Sequence, residues 1–364
     1  MSERKGPEGE HMEAEKNKVR VLVVDDSAVM RKLIPQLLER DREIEVVATA
    51  IDGDFAIRKI EDFKPDVVTL DVDMPRMDGL TTLDHIVSKH RTPVVMLSSL
   101  TTRGAAMTMK ALELGAVDFI CKPKGLSQVG QMGEELISKV KAAARSKVIR
   151  LNSPPPRPGS KKKSSRLPRR RGSEKIVVIG ASSGGPNALR YLLPKIPADF
   201  DAGIVVVQHL PESFTGLLAQ WLDELCELDV CEASEGDRAY PGRVLIANGR
   251  THTKVRRKER GAEIVLERGE PVNGHMPSVD VLFESVAKEY ADCATALIMT
   301  GMGRDGANGI GQIKSSGGYT VAQDKSSCAI FGMPRVAIEK GFIDKVLPLE
   351  DLASHLVSVI GRSE

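Results

Sequence analysis

The sequence predicts an α/β protein made of two doubly wound parallel-sheet domains, the second with an antiparallel hairpin inserted. Three observations lead there. Short β-rich apolar runs alternate with helix-period segments both before and after residue 150, the pattern of parallel strands covered on both faces by helices. The 364 residues are enough for about two domains, each with its own core. Between the halves, residues 150–173 carry nine Lys and Arg, five prolines and no acid, and read as an extended, self-repelling linker. The expected bounds are a disordered polar tail at 1–17, a first domain at 18–144, a basic Pro-rich linker at 145–173 and a second domain at 174–364.

In the first half the strands are VRVLVVDD, EVVATA, PDVVTLDV, PVVMLSS and AVDFICKP, apolar runs of the kind buried parallel strands require. Helix-period segments separate them: AVMRKLIPQLLER, DGDFAIRKIEDF, GLTTLDHIV, residues 103–114 and a last helix near 127–144. After the linker come KIVVIG, a helix over 186–193, GIVVVQH, a helix over 213–225 and VLIAN. A Gly-bounded pair at 252–267 supplies the hairpin. A helix over 279–290, ATALIMTG, a helix over 306–315 and YTVAQ complete the pattern.

Composition narrows the function classes. Hydrophobic residues make up 41% and charged residues 28%, so most of the chain is expected to be globular. No stretch approaches the roughly 18 apolar residues of a membrane helix, and the polar start MSERKGPEGEHMEAEKNK lacks a secretory h-region, so no membrane insertion is expected. Five cysteines without Cys-x-x-Cys spacing fit a reducing, cytoplasmic setting and no zinc site. The formal charge of +2 hides an asymmetry, because without the linker's cations the rest is acidic. A nucleic-acid patch is the functional reading of that basic run. It is disfavoured because no aromatic residue interleaves with the charges to stack on bases.

Ligand sites in open α/β sheets form at the carboxyl ends of strands. In the first half Asp25 and Asp26 end the first strand, Asp71 the third, Ser98 and Ser99 the fourth and Lys122 the fifth. Polar residues do cluster where strands become loops, yet here three carboxylates and a lysine converge on one edge. Hard oxygen ligands of this kind suit Mg²⁺. A carboxylate beside that ion can attack phosphorus to give an aspartyl phosphate, with Lys122 neutralising phosphoryl oxygens. VDDS, LDVDMPRMDG, MLSS and CKP closely resemble the receiver domain of two-component response regulators, a flavodoxin-like fold, over roughly residues 18–142. The resemblance implies Asp71 as phosphoacceptor and Asp25, Asp26, Asp71 and the backbone carbonyl of Asp73 as holders of Mg²⁺. It also implies Ser98 as partner of a phosphoryl oxygen and Phe119 as the aromatic switch. Pro123 after Lys122 fits a tight loop in which a cis bond is one option.

In the second half KIVVIGASSGGPNAL places a glycine-rich turn between a strand and a helix, and Gly180 to Gly184 satisfies G-x-S-x-G, a nucleophile-elbow pattern. It does not satisfy the dinucleotide pattern G-x-G-x-x-G. Such turns also serve packing or bind phosphate, so the fragment alone leaves these readings open. His209, ending GIVVVQH, belongs at the same sheet edge as Ser182, and Asp305 in TALIMTGMGRDG follows another strand end. His252 and His275, expected in loops, are the reserve candidates. A Ser, a His and an Asp at parallel-strand ends suit nucleophilic acyl transfer: histidine takes the serine proton, and the carboxylate orients the ring and stabilises the imidazolium. The chain order Ser, His, Asp is not that of α/β-hydrolases.

GASSGG, QHLP, PVNGHMPSVDVLF, TGMGRDG and AQDKSSCAIFGMP resemble the catalytic domain of chemotaxis protein-glutamate methylesterases of the CheB type, a Rossmann-like fold, over residues 174 to about 360. A receiver joined to this domain is that family's architecture. The resemblance implies Ser182 as nucleophile, His209 as base, Asp305 as orienter and the Met302 N–H in the oxyanion hole, with no cofactor for the ester reaction. Ser183 stands where the family commonly has Thr, and is expected to keep the hydroxyl and its hydrogen bond. The long basic linker is a second departure. The implied function is hydrolysis of glutamate γ-methyl esters, and deamidation of glutamines, on methyl-accepting chemotaxis receptors. A chemotaxis histidine kinase is the implied phosphodonor, and the resting receiver is expected to cover the mouth of the Ser182 site. A receiver-controlled scaffold is the alternative of another class, and it leaves Ser182, His209 and Asp305 together unexplained. No nucleic-acid partner is expected.

Overall fold

The first strand, β1 (Val19–Val24), is followed by β2 (Ile44–Ala50), β3 (Val67–Asp71), β4 (Val94–Ser98) and β5 (Asp118–Cys121). The computed structural model describes residues 18–75, 77–99, 101–123, 125, 129–145, 174–259 and 261–361. The predicted tail at 1–17 and the linker at 145–173, apart from Arg145, lie outside the described residues. The chain divides into two units, Met1–Arg150 and Leu151–Glu364.

In the first unit the five strands form one parallel sheet in the order β2-β1-β3-β4-β5. Every residue of β3 and β4 is buried, as expected where helices cover both faces. The helices are α1 (Ala28–Leu38), α2 (Gly53–Phe63), α3 (Gly79–His85, continued as a π turn), α4 (Thr102–Leu114) and α5 (Val129–Arg145). Ser27, Asp52, Asp78 and Thr101 cap the first four, each side-chain oxygen accepting an otherwise orphaned backbone N–H. The strand order reverses beside β1, so the ends of β1 and β3 flank a crevice of the kind that holds ligands in such sheets. The Lys122–Pro123 bond is not cis; the cis bond among the described residues is Met276–Pro277.

The second unit is built on a seven-stranded sheet in the order β15-β14-β13-β6-β7-β10-β8. Its strands are β6 (Ile176–Ala181), β7 (Gly203–Gln208), β8 (Asp229–Glu232), β10 (Arg243–Ile246), β13 (Ala294–Ile298), β14 (Tyr319–Gln323) and β15 (Lys345–Leu347), all paired in parallel. Helices α6 (Gly185–Leu192), α7 (Glu212–Leu225), α8 (Val279–Tyr290), α9 (Ala307–Ser315), α10 (Met333–Glu339) and α11 (Leu349–Gly361) complete the layers. The predicted hairpin is present as β11 (His252–Lys258) and β12 (Gly261–Glu267), and a short β9 (Arg238–Ala239) pairs with β12 to make a separate antiparallel sheet. Val255 and Ile264 of the hairpin share a buried cluster with Phe283 and Val286 of α8, and the Val255 N–H donates to Ser285 Oγ at 3.0 Å.

Four short elements, β8, β9, β15 and α10, carry no apolar run or clear period that could announce them. β8 and β15 are the two edges of the large sheet, where strands are short and charged and depend on their neighbours. His252, expected in a loop, opens β11 and is buried. Among the described residues no helix is long and apolar enough to cross a membrane.

Candidate functional site

At the carboxyl edge of the first sheet, Asp25 and Asp71 are almost fully buried and Asp26 is exposed. Possible ligand oxygens of the three lie within 4.8 Å of one another. Lys122 reaches both buried carboxylates, 2.9 Å from Asp25 Oδ2 and 2.7 Å from Asp71 Oδ2. Burial would depress the lysine, but the two carboxylates outweigh it and hold its pKa above the ordinary value. One ammonium cannot balance two buried carboxylates, and the excess negative charge shows on Asp71. Burial first, and the Asp25 charge second, push Asp71 up to about 6. An all-oxygen, charge-deficient cluster of this kind could hold a hard metal ion, and the residues present fit one. Arg31 fixes the loop by donating to the carbonyls of Asp25 and Asp26 at 2.9 and 2.7 Å.

The remaining candidate residues of the first unit are placed less simply. Asp73 donates its N–H to Asp71 Oδ1 at 3.4 Å. Ser98 ends β4, but its buried hydroxyl accepts from Thr108 Oγ1 at 2.6 Å and donates to the Gly104 carbonyl at 3.2 Å, both on α4. Thr108 carries no signal in the sequence, because only the packing of α4 on β4 brings it to Ser98. Phe119 is buried on β5, its carbonyl accepting from Lys139 Nζ at 2.6 Å and its ring 5.3 Å from the same ammonium.

At the carboxyl edge of the second sheet, Ser182 is the first residue after β6 and His209 the first after β7. Ala181 pairs with Gln208, so the two candidates are register neighbours. Asp305 follows β13, which flanks β6 on the other side. The turn after β6 needs Gly184, which has φ 74° and whose missing Cβ would lie 2.5 Å from Ala329 Cβ. Backbone bonds hold the turn without help from the serine hydroxyl. Ser182 N donates to the Thr300 carbonyl at 3.0 Å, and Ser182 O accepts from Gly185 N and Gln208 Nε2, each at 2.8 Å.

His209 Nε2 lies 2.8 Å from Asp305 Oδ2, and the buried Nδ1 has no hydrogen-bond partner. With Nε2–H donating to the carboxylate, Nδ1 is the basic nitrogen. Asp305 is 1% exposed and accepts from four further donors: Asn273 Nδ2 and Ser278 Oγ at 2.8 Å, and the N–H groups of Val279 at 2.7 Å and Asp280 at 3.3 Å. Ser278 caps α8, so the carboxylate sits on a helix N-terminus. Burial alone would raise its pKa. The His209 partnership and the other donors prevail and hold it well below the usual carboxylate range. Asp280 goes the opposite way: burial first raises it, and the Asp305 charge adds to the shift against the Gly309 N–H bond.

The Met302 N–H has no acceptor among the described residues. Ser183 departs from expectation. Its carbonyl accepts from Thr300 Oγ1 at 2.9 Å, while its hydroxyl has no partner among the described residues. Of the reserve histidines, His252 spends both nitrogens elsewhere, Nδ1 accepting from Ser278 N at 3.2 Å and Nε2 lying 3.0 Å from the Glu270 carbonyl. His275 is not a rival base but a neighbour, stacked on His209 with ring centroids 3.8 Å apart. Sequence reasoning did not single out Asn273, Ser278, Gln208 or Thr300. The cap pattern Ser-Val-Asp could have marked Ser278 as a helix start, but not its reach to Asp305.

The CheB methylesterase family model matches residues 177–356, and the response regulator receiver domain model matches residues 21–132. A protein-glutamate methylesterase/protein-glutamine glutaminase of Koribacter versatilis is 47% identical over 346 residues, covering 93% of this chain and 95% of its own. One of Pseudomonas aeruginosa is 45% identical, covering 94% and 97%. The crystal structure of the Thermotoga maritima CheB methylesterase catalytic domain superposes with a TM-score of 0.50 at 41% identity, covering 51% of this chain and 98% of that one.

Proposed function

Because the chain belongs to the CheB methylesterase family, with a response regulator receiver domain ahead of the esterase domain, we propose that it hydrolyses glutamate γ-methyl esters on methyl-accepting chemoreceptors. The same site deamidates receptor glutamines, and phosphorylation of Asp71 raises its rate. The observation that carries the chemistry is the state of His209, with one nitrogen anchored on a deeply held carboxylate and the other buried and unengaged, on a residue that stands opposite Ser182 one step past the Ala181–Gln208 pair.

In this reading Nδ1 of His209 takes the Ser182 proton as Oγ attacks the γ-carbonyl. The oxyanion of the tetrahedral intermediate accepts from the Met302 N–H. Asp305 stabilises the imidazolium, which then protonates the leaving methoxide to release methanol. Water activated by the same nitrogen cleaves the acyl-serine and restores the carboxylate. An amide substrate follows the same course with ammonia leaving. No cofactor takes part.

In the receiver, Asp25, Asp26, Asp71 and the Asp73 carbonyl are the groups to hold Mg²⁺, which when bound supplies positive charge against phosphoryl oxygens. An Asp71 carboxylate oxygen accepts the phosphoryl group from a chemotaxis histidine kinase, with Lys122 beside it. Ser98 can donate to a phosphoryl oxygen only after its proton leaves the Gly104 and Ser99 carbonyls, which couples the new charge to the start of α4. A cytoplasmic enzyme facing the receptors' cytoplasmic segments fits this chemistry.

The test is methanol release from methylated receptor membranes, with and without Mg²⁺ and a small phosphodonor. The wild type is expected to respond to the phosphodonor, and Asp71→Asn is expected to stay at the resting rate. Deleting residues 1–172 is expected to raise the resting rate, as a restraining receiver requires. A truncated enzyme no faster than the resting chain would make the receiver an activator instead.

Gly301 gives a sharper geometric check. A Cβ there would collide with Met333 Sδ and lie 2.8 Å from Ser182 Cβ. Gly301→Ala is therefore expected to displace the nucleophile and slow methanol release by about 10²-fold. An unchanged rate would mean that the elbow tolerates movement the reading forbids.

A further inference from the structure

We propose that His275 is a positioning residue for the general base: its ring, stacked on His209, fixes the plane of the catalytic imidazole without occupying the nitrogen that must take the proton. The inference rests on the Ser182, His209, Asp305 reading above. The His209 ring has one hydrogen bond, from Nε2 to Asp305, and a single anchor leaves the ring free to swing and carry Nδ1 away from Ser182. A second hydrogen bond could stop that motion only by engaging Nδ1. A flat ring over the imidazole face stops it differently. The His275 and His209 centroids are 3.8 Å apart with the planes 10° from parallel, and Nδ1 keeps its lone pair.

His275 is held where this requires. Val272 and His275 exchange both backbone hydrogen bonds at 3.0 Å, closing a two-residue turn through Asn273 and Gly274. Both central residues have positive φ, 54° and 81°, the requirement of the tight Asn-Gly turn. The Asn273 amide donates to Asp305 Oδ1 and Asp280 Oδ2, each at 2.8 Å. The turn that presents His275 is thus pinned to the carboxylate that anchors His209, and one segment sets both the axis and the plane of the ring.

The experiment compares His275→Ala, His275→Phe and His275→Leu in the full-length chain. It measures kcat and KM for methanol release, the rate at which phenylmethanesulfonyl fluoride inactivates the enzyme, and Tm. Loss of the flat ring in Ala and Leu is expected to lower kcat and the inactivation rate together by about ten- to a hundred-fold, with KM unchanged. Phe, which stacks but cannot donate, accept or titrate, is expected to recover both to within a few-fold of wild type. The Phe and Leu pair fills the cavity in either case, so the comparison survives an Ala variant that does not fold. Leu equal to Phe, Phe no better than Ala, or a loss confined to KM would overturn the proposal. Ser182→Ala and His209→Ala run alongside. If either retains activity, the triad reading itself fails; if both are inactive and the His275 series is flat, only the stacking role is lost.

Discussion

Ser182→Ala is expected to reduce methanol release by on the order of 10⁴-fold or more while leaving the thermal unfolding transition in place, because loss of a nucleophile removes the whole covalent route. The fold is insulated from the change. The turn is held through the Ser182 backbone, by Thr300, Gly185 and Gln208, and the hydroxyl makes no bond to His209 in the resting site. His209→Ala should be comparably severe. His252→Ala should act more through stability than through chemistry, since both of its ring nitrogens serve the surrounding backbone. The measurement is methanol release from methylated receptor membranes, with Tm as the control. A Ser182→Ala enzyme retaining more than a tenth of wild-type activity would remove Ser182 as nucleophile, and a His252→Ala loss larger than that of His209→Ala would move the base.

Asp305→Asn is expected to cost on the order of 10⁴-fold in kcat, because an amide nitrogen turned to His209 favours the tautomer with the proton on Nδ1, the nitrogen that must be empty. Stability should fall as well. Five donors converge on Asp305, and an amide can satisfy them only by turning its own N–H groups against some of them. The pH dependence has a definite sign. An acid held below its ordinary range contributes stability that is fully present above that range and is lost as pH falls through the folded value. The Tm gap between wild type and Asp305→Asn should therefore be full at neutral pH and narrow only in strong acid. A gap that closes near neutrality would show that Asp305 is not the held carboxylate of this site. An Asp305→Asn enzyme with near-normal kcat would place the orienting group elsewhere.

Much of this protein is legible without coordinates. Continuous apolar runs of β1, β3, β4, β6, β7 and β13 announce parallel strands because both of their faces are buried, so the period collapses to plain hydrophobicity. The candidate residues were readable for a related reason. In such sheets ligand sites form at carboxyl ends, and a residue at a strand end is located by one-dimensional position alone: Asp71 ends its strand, and Asp25, Ser182 and His209 directly follow theirs. The edge strands β8 and β15 were not legible, since a few charged residues acquire strand geometry only from the neighbour they pair with. Nor were Asn273, Ser278 and Thr108, whose importance lies in what they touch across the chain. The sequence by itself determined which candidate side chains lie at the carboxyl edges of the two sheets. Tertiary packing alone decided that Ser98 is engaged by Thr108, that Asp305 rests on the N-terminus of α8, that Nδ1 rather than Nε2 of His209 is left free, and that His275 lies across its face. The physical reason is that hydrogen-bond direction and ring stacking depend on contacts 10 to 96 residues apart in the chain, which no local period encodes.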